Sequence, residues 1–276
     1  MCQPALNRGV RAADTWAVES RHAARSVPGR TGRLLALAAA ALAVLAGPAG
    51  GGALAAPLEA TDAHGVRIAA TAPAPSTSTS RSLAASYAFA TSNAVGPAHW
   101  NRCTSINYWV NPAGMPSGAL TDVHTAMGKL SAASGLHFTY RGGTAVVPLR
   151  SGWTSTLPST ARSDIFIAWS SAAVFPALAG TVAGLGGTAT VVPAGREPRV
   201  VLGGVVLDRD AVLQAGFVNG VSRGTLLLHE LGHAVNLAHV ADTAQTMYPT
   251  ISSASRPAYR TGDVAGLRVL AARACF

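Results

Sequence analysis

The sequence predicts an α+β domain. Two kinds of observation lead there. Short runs of β-branched and aromatic residues recur between positions 106 and 207, and stretches with helical spacing of apolar residues occupy 119–134, 225–237 and 263–273. Composition permits it: of 276 residues, 49% are hydrophobic and 12% charged, enough to bury a sizeable core and unlike a disordered chain.

The elements follow in order. Ile106 to Val110 alternates aromatic and β-branched residues and reads as a strand; Asn111-Pro112-Ala113-Gly114 is a turn. Ala119 to Ser134 carries Leu120, Val123, Met127 and Leu130 near helical spacing and meets a C-cap signal at Gly135. Leu136 to Arg141 and Asp164 to Trp169 read as strands, the Gly-rich stretch 180–195 as loop, and Val200 to Leu207 as one or two short strands around Gly203-Gly204. Thr225 to Leu237 is a strongly apolar helix and Asp263 to Arg273 a final helix. The order β, α, β, β, β, α, α belongs to the α+β class.

Three segments precede or make up the domain. In residues 1–55, Arg25, Arg30 and Arg33 stand before a short apolar run at 34–47, and Ala53-Leu54-Ala55 follows it. The run is short of the ~20 residues a membrane span needs. Basic flank, apolar run and A-x-A site describe a secretory signal peptide with a long n-region, cut after Ala55; an uncleaved anchor is the alternative. Residues 56–95 are rich in Ala, Pro, Ser and Thr, including Pro73-Ala74-Pro75-Ser76-Thr77-Ser78-Thr79-Ser80, and read as a disordered linker or a short propeptide. The folded domain is expected at 96–276. Export would remove Cys2 with the leader and leave Cys103 and Cys275, an even pair in an oxidising compartment. A disulfide between them would tie the start of the domain to its last residues and contribute up to about 4–5 kcal/mol by the chain-entropy argument. Two free buried thiols are the alternative.

The formal charge is +9, and every one of the 21 basic residues except Lys129 is arginine. Six of these arginines lie in residues 1–33 and the rest are scattered singly, with no basic run and no basic helix interleaved with aromatics. Diffuse surface charge, without a nucleic-acid partner, is the expectation.

The chemistry concentrates in His229-Glu230-Leu231-Gly232-His233-Ala234-Val235-Asn236-Leu237-Ala238-His239. Residues four apart on a helix differ by about 40° and one turn, so the imidazoles of His229 and His233 can reach one metal. Glu230 is then placed to take a proton from a metal-activated water without ligating the metal. His239 lies six residues beyond His233, about 9 Å along a straight helix, so the chain must turn sharply between them. Asn236 is the natural break, because Asn is the usual second choice after Gly where φ is positive. Three neutral imidazoles leave a fourth zinc position open, the layout of a catalytic site.

This spacing resembles the metzincin zinc peptidases, whose motif is H-E-x-x-H-x-x-G-x-x-H; Asn236 at the Gly position is the departure. Thr246-Met247-Tyr248-Pro249 is similar to the Met-turn of the matrixin branch, the matrix metalloproteinase-like enzymes. The resemblance implies a mixed, mostly parallel sheet with an active-site helix and a C-terminal helix, one catalytic Zn²⁺ on His229, His233 and His239, and Glu230 as general base. Met247 would form the floor beneath the zinc, and Tyr248 and Pro249 would wall the substrate pocket. Residues 106–141 and 200–207 fit the strand-helix-strand unit and the substrate-binding edge strand of such enzymes, while Tyr259, Gly262, Asp263 and Leu267 open the last helix as in bacterial matrixin-like proteins. The function implied is peptide-bond hydrolysis on a protein or peptide substrate by a secreted, extracellular monomer without a membrane anchor after leader removal. A secreted or cell-surface module that carries zinc for binding alone is the alternative.

Some relatives of this kind also bind Ca²⁺, for which Asp164, Asp208 and Asp210 are the carboxylates at hand. No dense Asp/Asn/Gly loop surrounds them, so they are expected as solvated turn residues. His99, His124 and His137 are expected at the surface or in packing. The propeptide cysteine that blocks zinc in matrixins has no counterpart in 56–95, so any latency works by other means.

Overall fold

The computed structural model describes residues 59–60, 64–68, 86–151, 153–156 and 163–276. The chain divides into Met1–Gly52 and Ala53–Phe276, and all described residues lie in the second unit. The expected leader and its cleavage site therefore lie outside the described residues. No helix among the described residues is long and apolar enough to cross a membrane.

The strands are β1 (Glu59–Ala60), β2 (His64–Ile68), β3 (Ile106–Val110), β4 (Phe138–Gly143), β5 (Asp164–Ser170), β6 (Val182–Val191), β7 (Arg199–Asp208) and β8 (Thr250–Ile251). They form one sheet in the order β4-β3-β5-β7-β6-β2-β8, with β1 also paired to β6. β4, β3, β5 and β7 run parallel; β6 is antiparallel to β7, and β2 is antiparallel to β6 and parallel to β8. The helices are α1 (Ala119–Ser134), α2 (Arg223–Ala234) and α3 (Thr261–Ala271). This is the expected α+β architecture with a mixed sheet.

The main core lies between sheet and helices. β5 is buried along its whole length, and its period-two alternation sends Ile165, Ile167 and Trp169 into that core and Phe166 into a second cluster with Trp153, Val201 and Leu202. α1 contributes Val123, Met127 and Leu130 and ends at Gly135, whose φ of 81° is the left-handed conformation a helix C-cap needs. α2 is buried on every side, the pattern of a helix enclosed by its neighbours rather than one with a solvent face. Cys103 and Cys275 are disulfide-bonded across 172 residues of chain, with Cα atoms 5.8 Å apart.

Two expectations are corrected. Residues 200–207, expected in the slot of a substrate-binding edge strand, form β7 in the interior of the sheet between β5 and β6. The Gly-rich stretch taken as loop contains β6, a ten-residue strand. Its glycines mark close approach of two backbones, the usual meaning of glycine inside a strand. Gly184 and Gly186 face α2, and Gly187 is paired with Gly204 of β7. Two parts of the stretch 56–95 are also built into the fold. β1 and β2 pair with β6, and residues 88–91 clamp the chain after α2 through Ala238 N–H to Ala88 O (2.8 Å), Ala90 N–H to Asn236 O (3.1 Å) and Thr91 N–H to Asn236 Oδ1 (2.9 Å). Backbone pairing needs no apolar pattern, which is why composition did not disclose it.

Candidate metal centre

α2 begins at a firm cap. The Ser222 hydroxyl accepts from Thr225 N–H at 3.2 Å, and the Thr225 hydroxyl accepts from Ser222 N–H at 3.1 Å, so two otherwise orphaned donors are satisfied. Next to it, the buried Arg223 guanidinium pairs with Asp122 of α1 at 2.5 Å, and Gly216 N–H donates to the same carboxylate oxygen at 3.2 Å. These contacts and the surrounding leucines fix the rotation of α2, and with it the direction of His229, Glu230 and His233, all fully buried.

The helix ends where the motif requires it. Asn236 has φ 81°, and Leu237 N–H returns to Gly232 O at 2.9 Å, closing the reversal that brings His239 back. Glycine would supply the angle alone. Asn236 adds a buried side chain that donates to Thr91 O (2.9 Å) and Ala98 O (2.7 Å) and accepts from Thr91 N–H. Trp100 Nε1–H donates to Ala234 O at 3.1 Å and satisfies one of the last helical carbonyls.

The turn completes a triangle. The Nε2 atoms of His229, His233 and His239 lie 3.1 Å from one another on all three sides. Nδ1 of His229 lies 2.7 Å from Thr246 O, and Nδ1 of His233 lies 2.8 Å from Leu237 O. A carbonyl only accepts, so both Nδ1 atoms carry the proton, and in neutral rings both Nε2 atoms are acceptors. Acceptors brought together in this way are a donor set for a cation, and a carbonyl behind the ring is the usual means of orienting a metal-bound histidine. Imidazole nitrogens at about 2.0–2.1 Å from one tetrahedral ion stand about 3.3 Å apart, so the observed spacing fits a single metal ion. Among the described residues these histidines form the group of His, Cys, Asp or Glu side chains close enough to share an ion.

Glu230 shares the helix with two of these rings and faces the sheet. A Cβ built on Gly184 would stand 2.8 Å from Glu230 Oε1, and one on Gly186 would overlap the Glu230 carbonyl oxygen and come within 2.9 Å of His233 Cβ. The carboxylate is fully buried, and neither oxygen has a partner at hydrogen-bonding geometry. Burial pushes its pKa well above the ordinary value of 4.5, against a smaller lowering by the backbone amide of Val66 in β2.

Met247 is buried beneath the helix. A side chain at Gly232, between the two helical histidines, would overlap the Met247 sulfur. The turn is held from α3: Asp263 accepts from Thr246 N–H (2.7 Å), Met247 N–H (3.2 Å) and Arg260 N–H (2.8 Å), while Gln245 Oε1 accepts from Gly262 N–H (2.9 Å) and Asp263 N–H (3.1 Å). Burial raises the Asp263 pKa although those backbone donors lower it. Tyr259 Oη–H donates to Leu228 O at 2.8 Å, tying α3 to α2. A cavity of about 210 Å³ lies beside the turn, lined by Thr225, Thr246, Thr250, Ile251, Arg256 and others; Tyr248 and Pro249 are not among its lining residues, and Pro249 O instead accepts from Arg67 N–H at 3.2 Å.

The other candidates lie apart from this centre. His99 packs on Phe276, His124 meets the Tyr108 hydroxyl at 2.8 Å, and His137 is exposed. Asp164, expected in a solvated turn, is buried and accepts from Trp109 Nε1–H at 3.0 Å, because it opens β5 beside β3. Asp208 accepts from Asp210 N–H, and Asp210 pairs with exposed Arg209.

The residues missed in the sequence are Gly184, Gly186 and Val66. The signal was present for the glycines: Gly184 and Gly186 recur at the strand period of two within Val182–Val191 and so mark one face. Nothing in the local sequence singled out Val66.

No protein-family model matches the chain, and no curated protein matches it in sequence. Among solved structures it is similar to metalloproteinase-II from Bacteroides fragilis, with 12% identity, a TM-score of 0.38, and coverage of 76% of this chain and 58% of that one.

Proposed function

We propose that this chain is a secreted zinc-dependent endopeptidase of the metzincin kind, matrixin-like in its Met-turn. The observation that carries the reading is the 3.1 Å triangle of His229, His233 and His239 with Glu230 on the same helix. His229, His233 and His239 would hold one zinc, with the carbonyls of Thr246 and Leu237 orienting the first two rings. Bound there, zinc would lower the pKa of a water and polarise a carbonyl. Glu230 takes the proton from water as its oxygen attacks the carbonyl carbon, then delivers that proton to the leaving amine. A protein or peptide substrate would lie extended and pair through its main chain. The Cys103–Cys275 disulfide agrees with an oxidising compartment outside the cytosol, and the chain would act as a monomer there.

Full burial of Glu230 favours a second reading, a zinc-bearing binding module without peptidase activity, because water does not reach the carboxylate in this conformation. Casein cleavage by the zinc-loaded protein beside Glu230→Ala separates the two. The peptidase reading expects both proteins to hold zinc and the variant to cleave about 10²–10⁴-fold more slowly, the usual contribution of a general base. Equal zinc content with no cleavage by either, and none by a variant in which Glu230 is exposed, leaves the binding module.

A further inference from the structure

The strand β2 stands where an extended peptide substrate would have to lie. It pairs on one side with β6 (His64 opposite Gly186, Gly65 opposite Leu185, Val66 opposite Gly184) and on the other with β8 (Arg67 opposite Thr250, Ile68 opposite Ile251). Without β2, the outer edge of β6 beside Glu230 would be a row of unpaired amides and carbonyls, which is the feature that captures extended peptides. Directly opposed residues of an antiparallel pair share a face of the sheet. Val66 therefore faces α2, as Gly184 does, and is fully buried, while its partner Gly184 lies against the Glu230 carboxylate. Its amide is also the backbone group acting on that carboxylate.

We infer that His64–Ile68 is a built-in occupant of the peptide groove, seated between β6 and β8 with the Val66 amide beside Glu230, and that it closes the site until it is displaced. This rests on the peptidase reading and deepens it in two ways. It accounts for a carboxylate buried away from water in a centre that requires water. It also describes the substrate: an extended peptide antiparallel to β6, with a small aliphatic residue at the position Val66 fills. Being covalently attached, the strand competes with substrates at an effective concentration of about millimolar, so weak pairing is enough to keep the groove closed.

The test uses the zinc-loaded full chain, Val66→Asp and Val66→Gly. The aspartate places a second carboxylate on the buried face toward α2 and expels the strand; the glycine removes only the aliphatic anchor and guards against a variant that fails to fold. Two readouts are taken, hydrogen exchange of the peptide covering 64–68 and the rate of casein cleavage. The expected result is slow exchange in the wild type, fast exchange in both variants, and cleavage raised at least about tenfold as the open fraction rises. A synthetic His-Gly-Val-Arg-Ile peptide added to Val66→Asp should then lower the rate again, and His-Gly-Asp-Arg-Ile should not. Fast exchange of 64–68 in the wild type, or variants that expose the segment and cleave no faster than a wild type that does cleave, overturns the inference. If exchange changes as expected while none of the three proteins cleaves, the strand is an occupant of a groove that is not a peptidase site. The peptidase reading is then what failed, and the inhibitory role falls with it.

Discussion

Glu230 stands between two walls built in different ways. The wall on its own helix is made of side chains. His229 and His233 are fixed by the α2 register, and each ring is held from behind by a carbonyl. The opposite wall is made of backbone: Gly184 and Gly186 of β6 and the amide of Val66 in β2. The first wall is a set of donors locked before anything binds, suited to an ion that stays. The second presents main-chain pairing to a strand that arrives from a distant part of the chain, suited to an occupant that is exchanged. A site that hydrolyses peptides needs both kinds of wall.

The comparison can be broken most severely at the backbone wall. Gly186→Val drives a branched side chain into the Glu230 carbonyl and toward His233 Cβ. Overpacking of this kind costs about 1–3 kcal/mol and sometimes more. With α2 enclosed on all sides and unable to yield, the expected cost is at the upper end, about 3 kcal/mol, with loss of activity, read as a drop in the denaturation midpoint and in casein cleavage.

A smaller effect is expected behind the side-chain wall. Asp263→Ala leaves the amides of Thr246, Met247 and Arg260 without their acceptor. Each orphaned buried donor costs about 1–3 kcal/mol, and partial relaxation of the turn toward water should bring the total to about 2–3 kcal/mol. His229 leans on Thr246 O, so zinc should also be released more readily, by the ~10–100-fold that disturbing such an outer partner costs. Competition with a zinc-binding dye measures it.

The smallest effect is expected at the hinge between the walls. Asn236→Gly keeps the left-handed angle and loses the bonds to Thr91 and Ala98. The account expects a loss of about 1 kcal/mol with zinc retained. Asn236→Ala loses the same bonds and adds backbone strain, so it should fall further by about 1–2 kcal/mol. Thermal denaturation of both variants checks the order; an alanine variant as stable as the glycine variant would show that the angle contributes nothing.

The two walls were also unequally legible. Spacing alone placed His229, Glu230 and His233 on one helix and required a break before His239, because helical geometry is local and Asn236 is chemically suited to the turn. The same locality made α1 readable as far as its Gly135 cap. β6 was read as loop because its glycines lack the side chains that strand patterns are made of, and their purpose is visible only once α2 lies against them. β2 lies in a stretch read as a disordered linker or a short propeptide, and its strand was not visible there because it depends on pairing with residues more than a hundred positions away. Where side chains carry the chemistry the sequence shows it; where backbone carries it, partners distant in sequence decide.

The central claim is that His229, His233 and His239 hold a single zinc beside a base that does not ligate it. Zinc content after dialysis against the metal, measured on wild type, Glu230→Gln and His233→Ala, tests it most directly. The account predicts about one zinc per chain in the first two and almost none in the third, as expected for a site that binds through three protein ligands. A wild type without zinc, or a His233→Ala protein that keeps a full equivalent, would contradict it.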